Sequence, residues 1–246
     1  MPLGDGGPYR DDLAYIHDVG FGGFARSAAP WLLDLLHAQV PGRGLVVDLG
    51  CVSGIWAQAL SGAGYSVLGY DLSLAMVKIA RSRVPQAEFR AGSFLTSELP
   101  PCVAITAMGE VFNHLFDKQN TTRGLQKLFR RIYDALQPEG LLVFDVALPG
   151  RVPEGQRRGF SEGDDWACLF EAEEDPALRT LTRRITTFRK VGQLYRRDFE
   201  VHRLKLYDRA ELAAQLRAIG FRVRGVSNYG STTFPPGYTG FVASKP

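Results

Sequence analysis

The chain is poor in cysteine, and its three cysteines, at positions 51, 102 and 168, form no C-x-x-C pair. That spacing excludes a zinc ribbon and gives no disulfide framework, which fits a reducing compartment. The four histidines show no two-histidine metal spacing, so we expect no metal. The sequence also lacks an apolar run of about 18 residues and an N-terminal signal pattern. These absences predict a cytoplasmic protein without a membrane span.

The chain also has little excess of either charge, because its formal net charge is only +3 over 246 residues. A balance this small does not by itself imply a nucleic acid or a membrane as partner. With 45% hydrophobic residues, the chain can bury one large α/β core and still carry an inserted subdomain.

Residues 46–57, which read VVDLGCVSGIWA, predict a buried strand, a glycine-rich turn and the start of a helix. Such a turn lets a ligand approach the main chain beside free helix N–H groups. The dinucleotide motif G-x-G-x-x-G is excluded because Val52 stands at its second glycine, and no Gly-Lys-Ser/Thr follows to make a P-loop. Asp71 ends a second apolar segment 21 residues after Gly50, where an acid can accept both ribose hydroxyls. The pattern predicts a ribonucleoside site without a closely bound pyrophosphate.

Residues 46–60 followed by Asp71 resemble motif I and the ribose acid of the class I S-adenosylmethionine (SAM) methyltransferases. Val52 departs from the family pattern, which has glycine there. The resemblance implies an α/β, Rossmann-like sheet of seven strands in the order 3-2-1-4-5-7-6, flanked by helices. It also implies SAM as cofactor, released as S-adenosyl-L-homocysteine (SAH). The cofactor-binding residues that it implies are Asp48, Gly50, Cys51, Gly54, Asp71, Leu72, Met76, Ser93, Phe94, Met108 and Gly109.

Within that site the resemblance assigns the ribose to Asp71, the methionine end of SAM to residues 50–54, and adenine to Ser93 and Phe94. Many family members have an acid at the position of Ser93. Met76 is expected to cover the adenine or to pack in the core.

The whole chain, residues 1–246, is predicted to be one domain with two additions. Residues 1–40 contain two helical segments, at about 11–19 and 25–38, which we expect to fold over the cofactor as a lid. Residues 151–207 form an insertion, and from residue 166 to residue 207 its apolar side chains alternate with a period of two. That period predicts three antiparallel strands that cap the mouth of the pocket.

Candidate acceptor-binding and catalytic residues follow the fourth predicted strand, where ligands of open α/β sheets bind. Glu110, Asn113 and His114 are the first choices for acceptor contacts, with Tyr15 on the lid. A base is needed if the acceptor is a hydroxyl or a protonated amine, and histidine suits that task. His114 is the first candidate, His17 the second and Glu110 the third, although a structural role for each stays open. The other two histidines, His37 and His202, are interpreted as structural or exposed.

The acceptor class is narrowed by two motifs that the sequence lacks after the fourth strand, the Asp/Asn-Pro-Pro-aromatic motif and the Pro-Cys nucleophile loop. We therefore predict methyl transfer to N or O of a small molecule, with C less favoured, by a monomer or homodimer. Two alternatives stay open. Basic residues between 179 and 205 could follow the phosphates of RNA or another polyanion, or the protein could bind SAM without transferring its methyl group.

Overall fold

The computed structural model describes residues 7–40 and 42–246. Its helices are α1 (Asp11–Phe21), α2 (Gly23–Gln39), α3 (Ile55–Gly62), α4 (Leu74–Arg83), α5 (Thr122–Ala135) and α6 (Arg209–Ile219). Its strands are β1 (Leu45–Leu49), β2 (Ser66–Asp71), β3 (Glu88–Ala91), β4 (Cys102–Ala107), β5 (Leu136–Ala147), β6 (Gln156–Gly163), β7 (Trp166–Asp175), β8 (Thr180–Val191), β9 (Leu194–Lys205), β10 (Arg222–Val226), β11 (Asn228–Tyr229), β12 (Thr232–Thr233) and β13 (Tyr238–Ser244).

Seven of these strands form the main sheet, in the order β3-β2-β1-β4-β5-β13-β10. Strands β1 to β5 run parallel, and β13 is antiparallel to both of its neighbours. Because β10 and β13 are the sixth and seventh strands of this sheet, the predicted order 3-2-1-4-5-7-6 is confirmed. Every residue of β4 is buried, as expected for a central strand that is covered on both faces.

Two apolar layers cover the main sheet. The helices α5 and α6 bury leucine and phenylalanine side chains against one face, where Phe112, Phe129, Phe144 and Phe241 pack on one another. The helices α2, α3 and α4 cover the other face. Among the described residues, no helix is both long and apolar enough to cross a membrane.

The insertion is a separate antiparallel sheet in the order β6-β7-β8-β9, which we call the cap. It has four strands where the sequence predicted three. The missed strand is β6, whose residues are mostly exposed and show no alternation of apolar side chains. Helix α1 packs against the cap, and we call this helix together with the two residues before it, residues 9–21, the lid. Helix α1 is separated from α2 by Gly22 alone, so the gap between the two predicted helical segments, 11–19 and 25–38, is shorter than expected.

Phe144 is predicted to be a main determinant of stability, because it is fully buried and stacks on Phe241 with ring centroids 4.9 Å apart. Phe144→Ala should lower the free energy of unfolding by about 3–5 kcal/mol, the usual cost of this truncation in a core. Phe160→Ala is the control, since Phe160 is 71% exposed on β6; its effect should stay within about 0.5 kcal/mol. Equal urea-unfolding midpoints for the two variants would contradict this core assignment.

Candidate active site

A cavity of about 580 Å³ opens at the carboxyl ends of β1, β2 and β4. This is the edge where open α/β sheets bind ligands. The main sheet forms one wall of the cavity, the lid a second and the cap a third. The lid contributes Tyr9, Leu13, His17 and Phe21, and the cap contributes residues that include Cys168, Phe170, Arg183 and His202.

The glycine turn keeps a left-handed backbone along the floor of the cavity. Gly50 has a φ of 67°, and a Cβ there would lie 2.6 Å from Val111. Val52 has a φ of 49°, a conformation that is strained for a β-branched residue. Its N–H donates to Asp71 Oδ2 at 3.0 Å, which supports the turn despite the missing glycine.

Gly54 has a structural role instead of the predicted contact with the cofactor. It lies outside the cavity lining, has a φ of 76°, and a Cβ there would lie 3.0 Å from Ala80. Glycine at this position therefore lets α3 start close to α4. Cys51, Leu72, Met76, Met108 and Gly109, by contrast, all line the cavity together with Gly50 and Asp48.

A half-buried carboxyl group, Asp71, and a buried one, Asp48, lie beside the glycine turn. Asp71 accepts the Ser73 N–H at 2.8 Å, and burial raises the pKa of Asp71 to about 6 against the lowering effect of its N–H partners. Asp48 accepts the Thr106 hydroxyl at 2.7 Å, and burial raises the pKa of Asp48 to about 7. Trp56 Nε1 donates to the same hydroxyl oxygen at 3.1 Å, so Asp48 is held in place from within the core.

An apolar part of the cavity wall, next to Asp71, is formed by Leu72, Met76 and Phe94. Ser93 does not line the cavity. The Ser93 hydroxyl donates to Asp117 and accepts the Leu95 N–H, so the predicted role of Ser93 in holding adenine is not supported. The carboxylate of Asp117 lines the cavity in its place. Sequence reasoning missed Asp117, because it looked for an acid only at the end of β3.

Glu110 is a fixed anion in the wall of the cavity. Arg151 Nε donates to its Oε1 at 2.8 Å, and the Arg183 guanidinium donates to its Oε2 at 2.6 Å. Burial acts to raise the pKa of Glu110, but the two guanidinium groups lower it to about 2. The prediction that Glu110 is catalytic is therefore corrected, since a carboxylate paired in this way is a poor base.

The side chain of Asn113 is fully buried and does not line the cavity, so the predicted acceptor contact is wrong. Its amide donates to Ala147 O and Lys205 O, and its oxygen accepts the Ala147 N–H at 3.0 Å. It joins the loop after β4 to the ends of β5 and β9.

Asp145 holds the same loop after β4 and was missed by sequence reasoning. Its carboxylate accepts Gly109 N–H and Glu110 N–H, the second at 2.7 Å, and bonds to Tyr229 and Tyr238 hydroxyls. As the only charged residue in the run LLVFDVA of β5, Asp145 could have been noticed from the sequence.

Tyr15 also takes a role that differs from the predicted acceptor contact, because it lies outside the cavity lining. Its hydroxyl lies 3.2 Å from Asp165 Oδ2, and the Arg189 guanidinium sits 3.5 Å above its ring. Tyr15 therefore belongs to the interface between the lid and the cap. Two further ion pairs cross that interface, Arg10 with Asp198 and Arg196 with Asp12.

The two histidines predicted as bases line the cavity as neutral rings. Burial lowers the pKa of His17 to about 4 and the pKa of His114 to about 3. In each ring Nδ1 is buried and has no hydrogen-bond partner among the described residues. Both side chains can accept a hydrogen bond from a ligand, but both are weak bases.

His202 is a third cavity histidine, so of the two interpretations, structural or exposed, the structure excludes the second. It is buried, lines the cavity, and places Nε2 2.9 Å from Glu200 Oε2. The alternation of β9 was a usable signal, because it turns Glu200, His202 and Leu204 towards the buried face. His37 is exposed on α2, as predicted.

The basic residues between 179 and 205 do not form a continuous cationic surface. Arg183 pairs with Glu110, Arg184 with Glu173, Arg189 with Asp165, Arg196 with Asp12 and Arg179 with Glu211. A polyanion would have to compete with these carboxylates for most of the arginines, which weakens the RNA alternative. No cluster of metal-ligating side chains occurs in residues 7–40 and 42–246.

A seven-stranded sheet in this order, with an acid at the end of β2 beside a glycine turn, is the architecture of the class I SAM-dependent methyltransferases. A family model described as a methyltransferase domain matches residues 22–226, and the chain belongs to that family. The predicted recognition, enzyme class and cofactor are confirmed.

The chain is also similar to individual methyltransferases along nearly its whole length. It is 24% identical to the dTDP-3-amino-3,4,6-trideoxy-alpha-D-glucopyranose N,N-dimethyltransferase of Streptomyces venezuelae, over 87% of this chain and 92% of that protein. A SAM-dependent methyltransferase from Clostridium acetobutylicum has a TM-score of 0.80 and 15% identity, covering 95% of this chain and 97% of the other. SAM-bound CalS10, an amino pentose methyltransferase from Micromonospora echinaspora, has a TM-score of 0.74 and 20% identity, covering 94% and 97%. At these identities the solved structures show the shared fold.

The rings of His17 and His114 should stay neutral in the folded protein between pH 8 and pH 6. With pKa values of about 4 and about 3, both are protonated to about 1% or less at pH 6, whereas an ordinary histidine has a pKa of about 6.5. The unfolded chain therefore binds protons first, so these rings weaken folding as the pH falls from about 6.5 towards 4.

Ring carbon chemical shifts, assigned with His17→Gln and His114→Gln and compared with the urea-unfolded protein, test this prediction. A folded-state transition near pH 6.5 at either ring would contradict it.

Proposed function

We propose that this protein transfers the methyl group of SAM to the amino nitrogen of a small amino sugar. The proposal rests on the part of the cavity where His17, His114 and His202 surround the Tyr9 ring, which we call the acceptor chamber. The neutral rings of His17 and His114 offer hydrogen-bond acceptors to a small polar molecule next to the SAM methyl group. Proximity and orientation of donor and acceptor can supply about 7–11 kcal/mol of such a barrier.

The choice of nitrogen over oxygen follows from how few effective bases line the cavity. A hydroxyl must lose its proton as it attacks, whereas a neutral amine already has a free electron pair. Glu110 is paired with two arginines, and both His17 and His114 have strongly lowered pKa values. Among the described cavity histidines, only His202, beside Glu200, is left to take a proton. A single imidazole suits the acidic proton of an amine that has gained a methyl group better than the proton of a hydroxyl. The amino-sugar substrates in the names of the two relatives above support the same choice.

A positively charged side chain on the cap side of the cavity supports an acceptor sugar that is linked to an anionic group. Arg157 lines the cavity, and its guanidinium lies 5.9 Å from the Phe170 ring centroid. The described residues give it no carboxylate partner, in contrast to its neighbour Arg158, which pairs with Glu171. We infer that the sugar is linked to a phosphate group, such as a nucleoside diphosphate, which Arg157 contacts.

The cofactor fits the opposite end of the cavity. Asp71 offers carboxylate oxygens for the ribose, Leu72, Met76 and Phe94 form an apolar slot for the adenine, and the turn at residues 50–53 meets the methionine end. When bound, SAM supplies an activated methyl group. The protein binds both reactants, excludes water with the lid and holds the acceptor nitrogen in line.

Asp71→Asn should weaken SAH binding about tenfold to a hundredfold, since hydrogen bonds to a charged group contribute about 1.5–3 kcal/mol. Isothermal titration calorimetry with SAH measures the change. Glu88→Gln is the matched control, because Glu88 is an exposed acid on the neighbouring strand β3. Unchanged affinity in Asp71→Asn would contradict the ribose assignment.

The acceptor is tested with a matched pair of sugars, a dTDP-linked 3-amino-sugar and its 3-hydroxy counterpart, each incubated with labelled SAM. We expect an N-methyl product from the amino sugar, identified by mass and NMR, and no product from the hydroxy sugar. The free amino sugar should have a higher KM than the nucleotide-linked one. Equal transfer to the hydroxy sugar, or label found only in RNA or protein from an extract, would contradict the proposed function.

A further inference from the structure

One buried carboxylate, Glu200 on β9, joins the lid to the acceptor chamber. Its Oε2 accepts the Tyr9 N–H and its Oε1 accepts the Arg10 N–H, both at 2.8 Å. The same Oε2 lies 2.9 Å from His202 Nε2. Tyr9 and Arg10 immediately precede α1, so Glu200 receives the start of the lid and a cavity histidine together.

The contact with Glu200 leaves Nδ1 of His202 as the ring nitrogen that is free to bind a ligand. A carboxylate that accepts two backbone N–H bonds has only acceptor sites left, so the hydrogen between it and His202 belongs to Nε2. In this tautomer of a histidine, the free electron pair is on Nδ1. His202 packs against Tyr9 and Phe116, with ring centroids at 4.7 and 4.8 Å, and it lines the cavity. Nδ1 is therefore the nitrogen that remains for the acceptor.

His202 also differs from the other two cavity histidines in its charge partner. When an imidazole takes up a proton, an adjacent carboxylate stabilises the imidazolium that forms. Glu200 provides that carboxylate for His202. No salt bridge to a carboxylate is found for His17 or His114 among the described residues.

We propose that His202 is the catalytic residue that binds the acceptor amine and takes its proton, and that Glu200 is a positioning residue for both His202 and the lid. The proposal rests on the proposed function, an amine acceptor. The amine nitrogen attacks the methyl carbon, the electrons of the C–S bond return to sulfur as SAH forms, and one N–H proton moves to His202 Nδ1. The imidazolium beside Glu200 then releases this proton to solvent.

This assignment couples lid closure to chemistry. With the lid closed, the N–H groups of Tyr9 and Arg10 fix the Glu200 carboxylate, and the carboxylate fixes the tautomer of His202. With the lid open, Glu200 loses both N–H partners and holds His202 less firmly. The base is therefore aligned when the lid is docked on the cap.

Three variants separate the two roles. His202→Gln removes the titratable ring but keeps an amide N–H that can reach Glu200. Glu200→Gln changes both the lid contact and the histidine contact. Asp198→Asn is the matched control, because Asp198 binds the Arg10 guanidinium of the lid from the same strand and does not contact His202. Each variant is measured by hydrogen exchange of the α1 amides with SAH bound, and by kcat for the amino sugar at saturating SAM.

We expect His202→Gln to lower kcat by about 100-fold or more, within the usual range for loss of a general base, with α1 exchange as in the wild type. Glu200→Gln should lower kcat and also speed α1 exchange. Asp198→Asn should speed α1 exchange while kcat stays within about twofold of the wild type, because the lid still spends most of its time docked and Glu200 keeps its contacts with Tyr9, Arg10 and His202. A wild-type kcat for His202→Gln, or the same behaviour for Glu200→Gln and Asp198→Asn, would overturn the proposal.

Nitrogen-15 NMR of the His202 ring needs no acceptor and tests the tautomer directly. The wild type should carry its proton on Nε2, and Glu200→Gln should lose that preference. A wild-type ring protonated on Nδ1 would overturn this inference even if amino sugars are methylated. Failure of the wild type to methylate any amino sugar would instead contradict the proposed function.

Discussion

The cavity depends most on two ion pairs, which join Glu110 to Arg151 and to Arg183. Glu110 follows β4 of the main sheet, Arg151 follows β5, and Arg183 lies on β8 of the cap. Breaking a buried pair of this kind by removing one partner typically costs about 3–5 kcal/mol. The cap is therefore held on the main sheet by ion pairs. An apolar contact there would cover surface that the ligands need.

Two more buried carboxylates also join separate parts of the molecule around the cavity. Asp145 binds the loop after β4 to the C-terminal part of the chain through Tyr229 and Tyr238. Glu200 binds the cap to the lid. Three segments that are far apart in sequence thus meet around one chamber, and each junction is held by a carboxylate. Glu110, the acid that sequence reasoning regards as a catalytic candidate, has an architectural role instead, while the His17 and His114 imidazoles remain uncharged.

The sequence was sufficient for the sheet order, which the resemblance to the methyltransferase family implies, and for the placement of Asp71, which follows from patterns along the chain. Alternation and apolar runs identify strands, and the distance from Gly50 to Asp71 is set by one helix and one strand. The partners of individual side chains were not predictable in this way. Tyr15, Ser93 and Asn113 stand at the expected positions but bond to residues from remote segments. Strand β6 was missed because an exposed strand has no apolar period to detect.

A crystal structure of the SAH complex would test the central claim most directly, namely that donor and acceptor meet in the cavity of about 580 Å³ between main sheet, lid and cap. We predict that the ribose of SAH contacts Asp71 and that its sulfur points into the chamber lined by Tyr9 and His202. Electron density for SAH outside this cavity, or with the sulfur turned away from the chamber, would contradict the account.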